Sequence, residues 1–262
     1  MRRRTTRRLF LGELLAVLVV VALLVAWLGP RVSDRLRGDR ETAADAPLGE
    51  QCHNVPDGAT RVTLTGADAR AVGGASVGDP GAATAVVLRH GASQTLCDWL
   101  GWAEELSAAT GVRVLLFDRR GQGSTPGDDD LAAEPDDLAA AVALARTDGA
   151  QDVVLVASSM GNQSAWAAVD RVGDVCAVVS ISPVVPVSAA EDAIRLPRAV
   201  WVTHEEQDDT IAATAQGLLA AAREAGATTH DLAVDTDDHS LALVENHDEV
   251  ADFVTEAVAS CA

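Results

Sequence analysis

The chain of 262 residues contains no lysine and no tyrosine, and only 3% of its residues are aromatic. With so few aromatic side chains, its core must be built mainly from valine, leucine and alanine, and the hydrophobic content of 48% is sufficient for that. The missing lysine also argues against a phosphate-binding loop at Gly121–Gly123, because that motif needs a lysine after its glycines.

The sequence also has few positively charged residues, with 20 arginines against 39 aspartates and glutamates. The formal net charge is −19, and nine of the 20 arginines lie in the first 40 residues, so the remainder is more acidic still. A surface of that sign repels phosphate backbones, and we expect no nucleic-acid partner. The histidines and cysteines lack zinc-type spacing, and the acidic run 128–130 lacks the spaced ligands of a calcium loop. No metal or cofactor is therefore expected.

The N-terminus differs from the rest of the chain. Residues 1–8 carry five arginines, and residues 9–28 are almost wholly apolar. Because about 20 apolar residues span a bilayer core, we predict a transmembrane helix or signal anchor over 9–28. The basic segment would stay in the cytoplasm and the body would lie outside. Secretion after cleavage is the alternative, although the small residues at 44–46 are late for a cleavage site.

A linker and one folded domain are predicted beyond the anchor. Residues 29–57 combine proline, glycine and alanine with mixed charge, which is typical of a linker. From residue 58 to 262, short apolar segments alternate with helical patterns, and this alternation predicts an α/β fold with a doubly wound, mostly parallel sheet. Functional residues then collect in the loops at the carboxyl ends of the strands.

The stretch 152–169 predicts a buried strand, a sharp turn and a helix. Ser159 would stand at the tip of that turn. A serine hydroxyl becomes a good nucleophile when a histidine removes its proton and a carboxylate orients the histidine. The later strand ends supply both residue types, at Asp208 and Asp209 and then at His239. A serine, a carboxylate and a histidine in this chain order predict a serine hydrolase.

Three local patterns resemble the α/β-hydrolase superfamily. They are His90-Gly91 after a strand, the Asp-Arg-Arg-Gly-Gln-Gly-Ser run 118–124, and the Ala-Ser-Ser-Met-Gly run 157–161. The last resembles the Gly-x-Ser-x-Gly nucleophile elbow of that family, with Ala157 in place of the first glycine. The resemblance covers residues 58–262 and implies an α/β-hydrolase fold.

The resemblance also implies roles for individual residues. Ser159 would be the nucleophile, Asp208 the acid and His239 the base, while the backbone N–H groups of Ala92 and Met160 would form the oxyanion hole. Ser158 is the rival nucleophile. The rivals of Asp208 are Asp209, Glu205, which replaces a family glycine, and Glu206.

Four cysteines complete the set of candidate residues, and an even number in an exported domain favours two disulfides. Three pairings are possible, and buried free thiols are the alternative. We expect Cys52–Cys97 and Cys176–Cys261, because each pair would tie one end of the domain to its core.

The predicted function is hydrolysis of a carboxylic ester, thioester or amide in a small acyl substrate. The segment between Ile181 and Ala199 is too short for a helical lid of any size, which favours an open site. A hydrolase-like domain that only binds or scaffolds at the cell envelope is the alternative. The sequence does not indicate an oligomeric state.

Overall fold

The computed structural model describes residues 42–186 and 197–262. The predicted basic segment 1–8, the predicted anchor 9–28 and the first part of the predicted linker lie outside the described residues. Within those described ranges, none of the helices combines the length and the apolar character needed to cross a membrane.

The described residues form one sheet of eight strands. The strands are β1 Thr60–Thr65, β2 Ala71–Val77, β3 Thr84–Arg89, β4 Arg113–Phe117, β5 Asp152–Ser158, β6 Ala177–Ile181, β7 Ala199–Glu205 and β8 Thr228–Val234. Their order in the sheet is β1-β2-β4-β3-β5-β6-β7-β8. Strand β2 runs antiparallel to β1 and β4, whereas all other neighbours are parallel. This confirms the predicted mostly parallel, doubly wound sheet.

Helices cover both faces of the sheet, which explains why every residue of β3, β4 and β6 is buried. Within the described residues, the helices are α1 Leu48–Gln51, α2 Leu96–Thr110, α3 Glu134–Thr147, α4 Gly161–Val172, α5 Asp209–Glu224, α6 Leu241–Asn246 and α7 Asp248–Ala259. One core lies beneath α2 and α7, and the other beneath α3, α4 and α5.

The segment after β8 forms two helices, α6 and α7. They are separated at His247, whose backbone is extended, with φ −132° and ψ 101°. At the other end of the domain, Thr95 and Asp98 form a capping box at the first turn of α2.

The folded body also begins before residue 58. Leu48 and Cys52 are 5% and 4% exposed and belong to the core, and the Gln51 amide donates a 2.7 Å hydrogen bond to buried Asp118. The C-terminal part of the predicted linker 29–57 therefore packs onto the sheet. The sequence of this segment does not predict the packing, because the contacts are made by single side chains spaced along an irregular segment.

Both expected disulfides are present in the structure. Cys52 is bonded to Cys97 across a sequence separation of 45 residues, and Cys176 to Cys261 across 85. The first ties α1 to α2, and the second ties the end of the chain to the residue before β6. This confirms the prediction that each pair joins one end of the domain to its core.

Candidate active site

The turn between β5 and α4 holds Ser159 in a conformation that few L-residues adopt, with φ 51°. The Ser159 N–H donates to the Ile181 carbonyl at 2.9 Å, and the Asn162 side-chain amide donates to the carbonyls of Ala157 and Ser159 at 3.2 and 3.0 Å. These bonds fix the sharp turn predicted from the sequence. The Ser159 hydroxyl consequently stands at the carboxyl edge of the sheet, directly before a helix N-terminus.

The structure brings Ser159 and His239 together across 80 residues of sequence. The His239 Nε2 lies 2.8 Å from the Ser159 Oγ, and its Nδ1 lies 2.5 Å from Oε1 of Glu205. The Glu205 side chain is 1% exposed, whereas the His239 side chain is 42% exposed. A hydroxyl, an imidazole and a buried carboxylate are thus hydrogen-bonded in series, which is the arrangement that activates a serine nucleophile.

The carboxylate beside His239 is that of Glu205, which corrects the expectation that Asp208 takes this place. The Asp208 carboxylate instead accepts the backbone N–H groups of Thr210 and Ile211 at 2.9 and 3.1 Å, and so caps α5. Asp209, the first residue of α5, is exposed.

The length of the side chain explains why Glu205 can replace a loop aspartate. Glu205 is the last residue of β7, and its extra methylene lets a carboxylate reach His239 from the strand itself. The available signal in the sequence was Glu205 itself, which stands where the resembled family has a glycine.

The two flanking positions of the elbow differ in how much space they have. A Cβ added to Gly161 would lie 2.5 Å from the Arg89 carbonyl oxygen and 2.6 Å from that of His90, so only glycine fits there. Ala157 is fully buried within β5, where it pairs with Arg89 and Ser180, and its methyl group belongs to the core. The missing first glycine is therefore accommodated.

Two backbone N–H groups near Ser159 remain available. Over the part of the chain that the structure describes, no acceptor bonds the N–H of Met160 or of Ala92. The loop carrying Ala92 is held from both sides, because Gly91 N–H donates to the Gln94 Oε1 at 3.1 Å and the Gln122 amide donates to the Ala92 carbonyl at 2.7 Å. Free donors on a fixed loop are what an oxyanion hole requires.

A set of serines behind the hydrogen-bonded series of Ser159, His239 and Glu205 was not predicted. The Ser182 hydroxyl donates to the Glu205 Oε2 at 2.7 Å and accepts the Ser240 N–H at 2.9 Å. Ser158, the rival nucleophile, is 1% exposed, and its Oγ lies 2.6 Å from that of Ser240. The Ser158 hydroxyl is therefore buried and hydrogen-bonded within the protein. Single serines in loops carry no periodic signal, so the sequence did not reveal these contacts.

The run 118–124 contacts the loop that carries His90 and Ala92. The fully buried Asp118 carboxylate accepts the N–H and hydroxyl of Ser124 and the N–H of Leu96, all between 2.7 and 2.8 Å. Burial raises the pKa of Asp118, and these donors oppose the rise. Neighbouring His90 is also fully buried; burial first, and then the charge of Arg89, hold its pKa well below the ordinary value.

An acidic cavity of about 450 Å³ opens beside His239. Its lining residues are Glu205, Gln207, Asp208, Asp209, Asp237 and His239. Among the residues that the structure describes, no cluster of histidine, cysteine or carboxylate side chains could hold a metal ion. Residues 187–196, in the segment where a lid would be inserted, lie outside the described ranges.

Comparisons with known proteins agree with this fold. The model of the alpha/beta hydrolase family matches residues 85–202. An esterase of Pyrococcus furiosus superposes with a TM-score of 0.68 at 15% identity, covering 86% of this chain and 99% of that one. Carboxyl esterase 2 of the fungus Tuber melanosporum gives 0.63 at 12% identity, over 78% and 87% of the two chains. No curated protein sequence matches.

These similarities establish the fold. The chain has the α/β-hydrolase fold, with the mostly parallel eight-stranded sheet described above. The family match and the esterase neighbours also support the prediction that the chain is an enzyme.

Proposed function

We propose that this protein is a serine hydrolase that cleaves carboxylic esters through an acyl-enzyme on Ser159. The observation that carries the proposal is the series of hydrogen bonds from the Ser159 hydroxyl through His239 to the buried Glu205 carboxylate. Each of the three side chains comes from a different strand end, so the fold itself assembles them.

In the proposed mechanism, the Ser159 Oγ attacks the ester carbonyl carbon while the His239 Nε2 takes the hydroxyl proton. The Glu205 carboxylate accepts the His239 Nδ1–H and stabilises the imidazolium that forms. The carbonyl oxygen becomes an oxyanion, for which the N–H groups of Met160 and Ala92 are the proposed donors. A donor of this kind contributes about 3 kcal/mol in the transition state.

The second half of the reaction releases the acid. His239 gives its proton to the leaving alcohol as the tetrahedral intermediate collapses to the acyl-enzyme. A water molecule then loses a proton to His239 and attacks the acyl carbon, and collapse of this second intermediate returns the proton to the Ser159 Oγ. The products are a carboxylic acid and an alcohol, and the enzyme is regenerated.

An ester is favoured as the substrate because the similar solved structures include esterases from Pyrococcus furiosus, Pyrobaculum calidifontis and Tuber melanosporum. The exposed His239 suits a small substrate that reaches the site directly from solvent. Thioesters and amides would follow the same steps. Rates measured on p-nitrophenyl esters of increasing acyl length would define the substrate range.

The decisive experiment is labelling with a fluorophosphonate probe, which modifies an activated serine. We expect the purified full-length protein to be labelled, the Ser159→Ala variant to be unlabelled, and the matched Ser158→Ala variant to keep its labelling. A folded wild type that takes no label and hydrolyses no ester would support a binding or scaffolding domain instead. Labelling that persists in Ser159→Ala would contradict the assigned nucleophile.

We further propose that residues 9–28 anchor the protein in the membrane, with the hydrolase domain on the outer side. The apolar run behind five arginines and the two disulfides support this, since disulfides persist in oxidising compartments. Protease treatment of intact cells should remove the domain, whereas lysis alone should not release it from the membrane fraction. A domain that resists external protease would contradict the outward orientation, and release on lysis would favour cleavage of the signal.

A further inference from the structure

Ser240, the residue after His239, has a backbone conformation suited to glycine rather than serine. Its φ is 63° and its ψ is −122°. An L-residue in this region is strained, because its Cβ crowds the backbone, and glycine would avoid that strain. Ser240 is nevertheless 4% exposed, so its side chain lies in the interior of the protein. A strained, buried serine next to the proposed base suggests a use for the hydroxyl group.

The backbone of Ser240 supports the acid of the triad. Its N–H donates to the Ser182 hydroxyl at 2.9 Å, and that hydroxyl donates to the Glu205 Oε2 at 2.7 Å. The other Glu205 oxygen is hydrogen-bonded to His239. The hydrogen bonds therefore lead from His239 through Glu205 and Ser182 to Ser240, which is the next residue after His239 in the chain. Ser182 is completely buried and also lies at positive φ, 46°.

The hydroxyl of Ser240 is connected through Gln94 to the loop that carries Ala92, one of the proposed oxyanion donors. It lies 3.0 Å from the Gln94 Oε1, which also accepts the Gly91 N–H and the Trp99 indole N–H, each at 3.1 Å. Since both of those partners can only donate, the Gln94 atom that faces them must be the oxygen. The Ser240 hydrogen is thus directed to Gln94, and the Ser158 hydroxyl donates to Ser240 at 2.6 Å.

We propose that Ser240 is a positioning residue, whose N–H orients the acid through Ser182 while its hydroxyl fixes the loop carrying Ala92 through Gln94. The inference rests on the proposed serine-hydrolase function and concerns how its two halves are aligned. Both the His239–Glu205 pair and the Ala92 N–H are held by the same residue. A loop displaced by a fraction of an ångström would leave the oxyanion donors misplaced for the transition state while substrate binding stayed nearly unchanged.

The test compares Ser240→Ala with Ser240→Gly in the purified full-length protein. Both variants lose the hydroxyl, but only glycine relieves the backbone strain. We expect kcat on p-nitrophenyl acetate to fall about 10- to 100-fold in both, with KM within about threefold of the wild type. The Tm of Ser240→Gly should exceed that of Ser240→Ala by about 2–6 °C. The two variants would then share the loss of kcat and differ in Tm.

Two further variants define the mechanism. Gln94→Met, which keeps a similar unbranched length but lacks the acceptor, should lower kcat similarly. The Ser240→Ala/Gln94→Met double variant should be little worse than either single one. Ala69→Gly is the control for strain alone, since Ala69 also lies at φ 63° in the β1–β2 turn. It should raise Tm without changing kcat.

Each outcome decides the proposal. If Ser240→Gly keeps kcat within about twofold of the wild type, the hydroxyl has no positioning role, whatever the result for Ser240→Ala. A rise in KM with unchanged kcat would also overturn the proposal, because it would place Ser240 in substrate binding. An active wild type with unaffected variants refutes only the role of Ser240, whereas an inactive and unlabelled wild type refutes the proposed function and this inference together.

Discussion

The Glu205 Oε1 lies 2.5 Å from the His239 Nδ1, and the same carboxylate is almost completely shielded from solvent. A carboxylate in this position orients the imidazole and offsets the positive charge that develops on it. Asp208, three residues further on, points to a helix terminus instead. The contrast between these two acids is a direct test of the proposed triad.

Glu205→Gln should lower kcat on p-nitrophenyl acetate by about 10³- to 10⁴-fold, because the amide keeps the shape of the side chain but stabilises the wrong histidine tautomer. Asp208→Ala is the matched control. It should keep kcat within about threefold and lose about 1 kcal/mol of unfolding free energy, since it removes a helix cap. Steady-state kinetics and urea unfolding measure the two effects. The opposite ranking of the two variants would reinstate Asp208 as the acid.

Gly161→Ala should destabilise the protein by about 2 kcal/mol or more, because the new methyl group meets two carbonyl oxygens at the end of β3. Ala157→Gly, the comparison variant at the other side of the elbow, should lose only about 1 kcal/mol and keep nearly full activity. Thermal unfolding and fluorophosphonate labelling would be measured on both. A well-tolerated Gly161→Ala would mean that the elbow is less tightly packed against β3 than the structure shows.

Reduction should destabilise the protein, because both disulfides close long loops and restrict the unfolded chain. We expect a loss of about 2–5 kcal/mol for each bond. Urea unfolding with and without reductant would be followed for the wild type and for the pairwise serine variants at Cys52/Cys97 and Cys176/Cys261. A variant lacking both bonds should be insensitive to reductant. Equal stability of the oxidised and reduced wild type would argue against the two crosslinks.

Acid should weaken the fold through His90. Burial lowers the pKa of His90 in the folded protein, so below about pH 6.5 the unfolded chain binds a proton that the folded protein does not. The stability due to the neutral imidazole is therefore present above that pH and falls by about 1.4 kcal/mol for each unit below it.

His90→Gln should remove this part of the pH dependence, whereas the exposed His53→Gln should keep it. The raised pKa of Asp118 gives a slope of opposite sign, with stability lost as pH rises above about 4, so the difference between wild type and His90→Gln is the informative quantity. Urea unfolding between pH 5 and 8 would measure it. Identical slopes for wild type and His90→Gln would show that His90 takes up its proton as readily when folded.

The sequence was sufficient for most of the fold because strand and helix periods are local signals. The alternation after residue 58 predicted the parallel sheet. The turn at Ser159 and the loop at His239 followed from strand ends that lie along the same edge of such a sheet. The acid could not be placed in the same way. Whether the carboxylate at position 205 or that at position 208 bonds His239 depends on two things. One is the length of the side chain, and the other is whether the carboxylate caps a helix N-terminus instead.

The contacts of Ser182 and Ser240 could not be predicted from the sequence for a related reason. Ser182 and Ser240 are separated by 58 residues and meet only through loop conformations with positive φ. No composition or spacing rule specifies such conformations for serine, since the local preference is for glycine. Tertiary hydrogen bonds override that preference, and only the assembled loops reveal them.

The position of Glu205 on β7 has a consequence for how such a protein could diversify. Because the proposed acid is the last residue of a strand, the turn that follows supplies no proposed catalytic side chain. This turn still lines the cavity through Gln207, Asp208 and Asp209. Substitutions there could alter the charge of the entrance, or insertions lengthen it, without moving the reacting groups. New substrate preferences could therefore evolve in this turn while the catalytic apparatus remains unchanged.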